Sequence, residues 1–160
     1  MEVKIISLPK KDLVGKRILM SLSNDRTVEL WKNFMPYLNT IKNRTSVDVI
    51  SLQDYKSSFN HQDFTPGTKF DKWAAVEVSE VVDVPENMEI FTLSGGLYAV
   101  FLYTGTPSAF HKILDYIYNE WFPKSEYVLD LRPHFEILGD KYKNNDPNSE
   151  EEVWIPIKKK

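Results

Sequence analysis

The fold of this chain follows from three segments: GKRILMSLSN at residues 15–24, DVISLQDY at 48–55 and KWAAVEV at 72–78. Their pattern recurs in the same order in the second half of the chain, as GLYAVFLYTG at 96–105, HFEILGDKY at 134–142 and EEVWIPI at 151–157. Most of these segments are rich in β-branched and aromatic residues, as strands are. In both sets, a stretch with apolar residues at helical spacing separates the first segment from the second. The recurrence predicts an α+β fold of two βαββ units related by a pseudo-twofold axis, with antiparallel sheets and helices packed around a central groove.

Two helices are predicted, one in each half. The first follows a polar cap at residues 24–25, and Pro36 inside it should kink the helix or remove one backbone hydrogen bond. The second starts at residues 106–107, a threonine cap followed by proline at the first helical position, and ends at Pro123. Their apolar faces consist of Val28, Trp31, Phe34, Met35, Leu38 and Ile41 in the first helix, and of Phe110, Ile113, Leu114, Ile117, Tyr118 and Trp121 in the second.

A Ser-Gly-Gly sequence at residues 94–96 separates two apolar runs, 88–93 and 97–103. Because both glycines can adopt positive φ, this sequence predicts a β-hairpin between the two runs. The polar stretch 56–69 is predicted to be a loop.

Composition excludes several classes of protein. Hydrophobic residues make up 42% of the 160 residues and charged residues 27%, which favours one globular domain, with halves at approximately 1–83 and 88–160. The net charge of −3 comes without a long basic stripe, so nucleic acid is not an expected partner. The absence of cysteine rules out a disulfide scaffold and a thiolate zinc site. No apolar run approaches the roughly 18 residues that span a membrane, and residues 1–11 lack the core of a signal peptide, so we expect a cytoplasmic protein.

The familiar catalytic and cofactor signatures are missing from the sequence, including G-x-S-x-G, H-E-x-x-H and the glycine-rich phosphate and dinucleotide loops. His61, His111 and His134 are spread over a loop, a helix and a strand without metal-ligand spacing. Residues 144–149 begin like a calcium loop, but Ser149 occupies the position where the turn needs glycine. We therefore expect no metal and no cofactor, and we assign no catalytic residue.

Carboxylates inside apolar strands are more informative. Glu136 lies in HFEILG, and Glu77 lies in WAAVEV. On an alternating strand a glutamate can simply face water, but Glu136 shares its strand face with Leu138, which indicates a face that is not fully wet. Aromatic residues reach 13% of the chain. On two other predicted strands, an aromatic ring and a carboxylate also lie on the same face. Trp73 shares its face with Ala75 and Glu77, and Trp154 shares its face with Glu152 and Pro156.

A partly buried carboxylate surrounded by rings suits a lipophilic cation. Each ring presents its negative face to the cation in a contact of about 0.5–2 kcal/mol. The carboxylate supplies the counter-charge, which acts more strongly in a dry groove than in water. Desolvation should raise the pKa of such a glutamate, and a bound cation should lower it again. The same surroundings could instead make Glu136 a general acid or base.

Six blocks occur in a characteristic order between about Leu30 and Lys158: LWKNFMPYLNTIKNR, KWAAVEV, GGLYAVFLYTG, YIYNEWFP, RPHFEILGDKY and EEVWIPIK. Together they resemble the GyrI-like family, which is also the effector-binding domain of AraC-type and MerR-type transcription regulators. The resemblance implies the duplicated βαββ fold and a central groove that binds hydrophobic, often cationic, compounds through a buried glutamate and aromatic side chains.

The resemblance also implies site residues. Glu136 matches the glutamate of the family's F/Y-E-x-x strand, Trp73 the aromatic before the A-x-V-E-V block, and Trp154 the aromatic of the E-x-W/Y-I-P block. Residues 74–75 are Ala-Ala where the family usually has Ala-Gly, which could narrow the groove. Strand register decides which side the neighbouring residues face. The further candidate ligand contacts are Tyr98, Glu152 and Phe91.

The function expected from these features is binding of hydrophobic, cationic or aromatic small molecules, by a xenobiotic sensor or a sequestering protein. The chain resembles stand-alone members of the family, since no DNA-binding unit is expected before Leu13, and a regulator or another protein is an expected partner. Two alternatives stay open. One is a hydrolase of strained or activated xenobiotics that uses the same groove, and the other is a protein-interaction module of the gyrase-inhibitor type.

Overall fold

The computed structural model describes residues 2–56 and 61–160, in which nine strands form one antiparallel sheet. The strands are β1 Val3–Leu8, β2 Lys11–Met20, β3 Val49–Asp54, β4 Phe70–Val78, β5 Glu89–Leu93, β6 Gly96–Thr104, β7 Tyr127–Leu129, β8 His134–Leu138 and β9 Glu150–Lys159. The α-helices are α1 Thr27–Phe34, α2 Phe110–Tyr116 and the short α3 Phe122–Lys124. Three 3-10 helices span Met35–Thr40, His61–Asp63 and Pro107–Ala109, and a π-helix spans Ile117–Trp121.

The strand order is β1-β6-β9-β8-β3-β4-β2-β5, with β7 paired to the far end of β9. The six strands of the recurring segments therefore form two trios of equivalent order, β2-β4-β3 and β6-β9-β8, which meet at the β3–β8 pair. The expected α+β class with antiparallel strands is confirmed, and the strands form one continuous sheet. The pseudo-twofold axis and the boundaries of the halves stay predictions.

The predicted hairpin at Ser94-Gly95-Gly96 is wrong. Gly95 and Gly96 do have positive φ, 85° and 123°, but β5 pairs with β2 while β6 pairs with β1 and β9. The glycines thus connect the two opposite ends of the sheet. A Cβ on Gly95 would lie 2.5 Å from the carbonyl oxygen of Leu8, at the connection between β1 and β2. The positive φ could be predicted from the two glycines themselves. The pairing partner of each strand could not, because it depends on which distant segments are buried together.

Proline shapes both helical segments as the sequence predicts. The first helix is α-helical only to Phe34 and continues as a 3-10 helix around Pro36, because proline cannot donate the next backbone hydrogen bond. Pro107 opens the second segment in a 3-10 turn, and the segment ends at Lys124, one residue beyond Pro123. No helix in the described ranges is long and apolar enough to cross a membrane.

The core is divided by the sheet. One face carries α1 and α2, each over its own cluster: Phe34 packs with Val76 under α1, and Ile117 packs with Val153 under α2. The other face holds a single cluster without a helical residue, which includes Leu8 and Leu93 from opposite edge strands. Since residues from both ends of the sheet meet there, the sheet curls around this cluster. The paired strands β3 and β8 lie between the two helix-covered clusters.

Candidate functional site

Strand register places Glu136 on the helix-bearing face, between the clusters under α1 and α2. Glu136 pairs with Ser51 on β3 and with Val153 on β9. Val153 is buried against α2, and directly paired residues point to the same face of a sheet. Gln53 follows Ser51 by two positions on β3 and therefore shares this face. Ser51 and Gln53 are both buried.

The carboxylate of Glu136 is held by neutral donors. Gln53 Nε2 donates to Glu136 Oε1 at 3.1 Å, and a hydrogen bond from the Ser51 side chain supports the carboxylate as well. Burial raises the pKa of Glu136, and the nearby charge of Lys72, together with these two hydrogen bonds, offsets part of the increase. Within residues 2–56 and 61–160, Glu136 forms no salt bridge. Among the described side chains, its negative charge is thus without a direct counter-ion.

A second carboxylate lies on the same face. Glu151 precedes Val153 by two positions on β9, so its side chain points to the side of Glu136. Burial and the charge of Glu136 raise its pKa to about 7, and Lys72 counteracts this increase. Lys72 itself is half-buried and pairs with Gln53 on β3. Glu136 and Glu151 therefore interact on this face with each other and with the ammonium group of Lys72.

Aromatic side chains border these charges. Tyr55 lies 5.0 Å from both Phe70 and His134 and 5.9 Å from Phe64, measured between ring centroids. Tyr118, on the π-helix, stacks on Phe122 at 5.7 Å. Burial and the charge of Glu136 raise the pKa values of the Tyr55 and Tyr118 phenols. Both rings are thus close to Glu136, and π-helical turns are frequent at functional sites.

Of the residues proposed from the sequence, only Glu136 lies on this face. Trp154 pairs with Phe135 on β8, one position from Glu136, and Trp73 pairs with Leu52. Because neighbouring residues on a strand point to opposite faces, both tryptophans lie in the cluster without helices. The expected arrangement, Glu136 flanked by Trp73 and Trp154, is therefore corrected. Tyr98, Phe91 and Glu152 also lie on that other face.

The side chains on the helix-free face are engaged with one another. The Tyr98 hydroxyl donates to the carbonyl of Pro133 at 2.8 Å, and the Trp154 indole donates to Glu152 at 3.0 Å. Trp73 packs edge-on against Phe91 at 5.1 Å, and its buried indole N–H has no hydrogen-bond partner among the described residues. Ligand contact by these residues stays a prediction, and for a ligand at Glu136 the structure offers Tyr55 and Tyr118 instead.

Sequence reasoning missed most of the residues around Glu136. The available signal was the alternation of polar residues in DVISLQDY, where Ser51, Gln53 and Tyr55 share one side. The sequence predicts Glu152 and not Glu151 as a ligand contact, because the register of β9, which decides the face of each residue, is not visible in the sequence. Tyr118 was assigned to the apolar face of a helix, where it also belongs, since its ring packs against Phe122.

Two pockets lie away from Glu136. One of about 70 Å³ is lined by charged and apolar residues that include Asp54, Tyr55 and Leu131. The other, of about 290 Å³, borders Glu120 and Trp121 on the outer side of the second helical segment. No group of three His, Asp or Glu side chains in the described part of the chain could hold a metal ion.

Comparison with known proteins places the chain in a family. The family model of the GyrI-like small molecule binding domain matches residues 1–158. No curated protein gave a match.

Solved structures share the fold at low sequence identity. SAV2435 bound to tetraphenylphosphonium is 20% identical, with a TM-score of 0.65 over 99% of this chain and 94% of that chain. The EcmrR C-terminal domain is 11% identical, with a TM-score of 0.71 over 99% and 98% of the two chains. A hydrolase encoded by lin2189 from Listeria innocua is 13% identical, with a TM-score of 0.63 over 98% and 92%. At these identities the structural likeness shows the fold alone, whereas the family model spans nearly the whole sequence, so the chain belongs to the GyrI-like small-molecule-binding domain family.

Proposed function

We propose that this protein binds lipophilic organic cations on the helix-bearing face, with Glu136 as the counter-charge and Tyr55 and Tyr118 as aromatic contacts. The observation that carries the proposal is a half-buried carboxylate that lies beside two tyrosines and whose side-chain donors among the described residues, Gln53 and Ser51, are neutral. A protein with such a site could serve as a xenobiotic sensor or sequester toxic compounds. The tetraphenylphosphonium found on SAV2435, which has the same fold, belongs to this ligand class.

The physical argument is that a ligand cation removes the cost of a buried charge. A desolvated carboxylate without a counter-ion is unfavourable, and an organic cation can neutralise it without bringing a hydration shell. The phenol rings add apolar contact and present their negative faces to the cation. A phosphate or carboxylate ligand would instead meet two carboxylates, Glu136 and Glu151, and be repelled.

We propose that the aromatic side chains beside Glu136 move when a ligand binds. The described pockets do not reach Glu136, and Tyr55 and Tyr118 are close enough to couple with its charge. We propose that the ligand displaces these rings and then stacks on them. Tyr118→Ala is accordingly expected to keep the charge preference of the site but to weaken binding through lost ring contact.

The test is isothermal titration of the wild-type protein and Glu136→Gln with tetraphenylphosphonium and with neutral triphenylphosphine oxide. Loss of the counter-charge should weaken binding of the cation by on the order of tenfold or more, and binding of the neutral compound much less. Glu86→Gln is the control, because Glu86 is an exposed glutamate in the turn before β5, away from the proposed site. Equal affinity of wild type and Glu136→Gln for the cation would exclude the counter-charge role.

Hydrolysis of an electrophilic xenobiotic is a second candidate. It is favoured by the coupling of Glu136 with Glu151, since a carboxyl group with a pKa of about 7 can exchange protons at neutral pH. Incubation with epoxide and activated-ester substrates distinguishes it from binding. Product in molar excess over protein that disappears in Glu151→Gln would favour the enzyme, and stoichiometric binding without product would exclude it.

A further inference from the structure

We propose that Lys72 acts as a built-in cation of the binding site, and that Lys72, Glu136 and Glu151 together make the site selective for ligands with a single positive charge. This inference rests on the proposed function and deepens it, because it concerns which cations the same site accepts. Neither Lys72 nor Glu151 stands out in the sequence, since each becomes a site residue only through strand register.

The positions of the three side chains follow from the sheet. Lys72 on β4 pairs with Gln53 on β3, and Gln53 pairs with His134 on β8, two positions before Glu136. Because directly paired residues and residues two positions apart share a face, Lys72 points to the same side as Glu136. Glu151 reaches this side from β9. The three charges therefore lie on one face of neighbouring strands.

Lys72 acts on both carboxylates without a direct ion pair. Its charge lowers the pKa values of Glu136 and of Glu151. Among the residues that the structure describes, it forms no salt bridge with either one. Gln53, which donates to Glu136 at 3.1 Å, lies between them on β3. The ammonium group thus reduces the negative potential at the Glu136 carboxylate without forming an ion pair with it, and the proposed ligand cation can still approach the carboxylate directly.

The sum of charges determines the ligand. Above the pKa of Glu151, which is about 7, two ionised carboxylates and one ammonium leave a single net negative charge among these three side chains. A ligand with one positive charge balances it, whereas a neutral ligand leaves a carboxylate unpaired and a dication leaves a positive excess. Glu151 is essential to this balance, since without it Lys72 alone would offset Glu136. Glu151 is therefore a second determinant of cation binding beside Glu136.

The experiment compares a monocation with a dication on four proteins. Wild type, Lys72→Met, Glu151→Gln and the double variant are titrated at about pH 8, above the pKa of Glu151, with tetraphenylphosphonium and with dequalinium, which carries two quaternary nitrogens. Lys72→Met should bind the monocation about tenfold more tightly and gain more for the dication, and Glu151→Gln should weaken both by a similar factor. The double variant restores the net charge and should return to about wild-type affinity for the monocation.

Matched controls separate a local effect from a change in overall charge. Lys112→Met removes a lysine from the exposed side of α2, and Glu86→Gln removes an exposed glutamate from the turn before β5. Both should leave the affinities within about twofold, as expected for screened surface charges. Equal changes in these controls and in the Lys72 and Glu151 variants would overturn the inference, as would a Lys72→Met protein with unchanged affinity and selectivity.

A readout without ligand keeps this inference distinct from the proposed function. Carboxyl carbon NMR should show Glu136 and Glu151 titrating at higher pH in Lys72→Met, or in Lys72→Gln if the methionine variant does not fold. Unchanged titration would overturn the role of Lys72 even if the wild-type protein binds cations. Shifted titration in a wild-type protein that binds no cation would contradict the proposed function and leave Lys72 as an internal counter-charge only.

Discussion

Glu136 and Glu151 show how strongly single residues depend on their face of a strand. Glu151 and Glu152 are adjacent in sequence, but one couples to Glu136 and the other bonds to the Trp154 indole. Burial and the charge of Glu136 raise the pKa of Glu151 to about 7, from an ordinary value of 4.5. Glu151 is therefore the side chain in which a small change of pH alters the charge of the site.

The raised pKa of Glu151 predicts a loss of stability as the pH rises. The folded protein holds the Glu151 proton up to a pKa of about 7, whereas the unfolded chain releases it near 4.5, so stability falls between these values. Glu151→Gln removes this cost. Relative to wild type, the variant should gain about 1–3 kcal/mol in its free energy of unfolding on going from pH 4.5 to pH 8.

Urea unfolding at pH 4.5, 6 and 8 measures this difference. The titration of Glu136 and the charge of Lys72 are common to both proteins, so the variant isolates Glu151 and its coupling. Glu152→Gln controls for the loss of a glutamate from β9. A Glu151→Gln variant whose stability relative to wild type is the same at all three pH values would contradict the assigned environment.

At the level of secondary-structure elements, the connections decide the topology. The β1–β2 and β5–β6 connections each carry the chain from one end of the sheet to the other. They meet where Gly95 approaches the carbonyl oxygen of Leu8. The sequence showed that a turn was present, but a turn signal is the same whether the strands on its two sides pair with each other or with distant strands.

Gly95→Ala tests this crossing. The added Cβ would lie 2.5 Å from a backbone oxygen, on a residue with φ of 85°, so the variant should lose about 1–3 kcal/mol of unfolding free energy. Gly67→Ala is the matched control, because its Cβ would meet nothing closer than 3.8 Å and no positive φ is involved. Equal urea midpoints for the two variants would show that the crossing tolerates a side chain.

In the whole molecule, one sheet separates a packed core from the proposed ligand site. The helix-free face holds a core shared by both ends of the sheet, with Trp73, Tyr98 and Trp154 packed in it. The helix-bearing face has two separate clusters and a polar strip between them, centred on Ser51, Gln53 and Glu136. Stability and ligand recognition are thus expected to respond to different substitutions.

Trp154→Phe tests this separation. Trp154 stacks on Phe135 at 5.2 Å in the core, so a smaller ring should cost about 1–3 kcal/mol of unfolding free energy. The affinity for tetraphenylphosphonium, measured well below the melting temperature, should stay within about twofold of wild type. A large loss of affinity at unchanged stability would return Trp154 to the ligand site and contradict the assignment of the two faces.

By itself, the sequence determined the α+β class, the two helices with their proline-directed ends and seven of the nine strands, and it singled out Glu136 as a candidate site residue. These features depend on short-range periodicity and on the conformational preferences of single residues. Both can be recognised within a few positions of the sequence. Only the tertiary structure decided that Gly95 and Gly96 join opposite ends of the sheet, and that Lys72, Glu151, Tyr55 and Tyr118 surround Glu136 while Trp73 and Trp154 do not. The physical reason is that a strand presents each residue to one of two faces, and the pairing of distant strands decides which residues meet there.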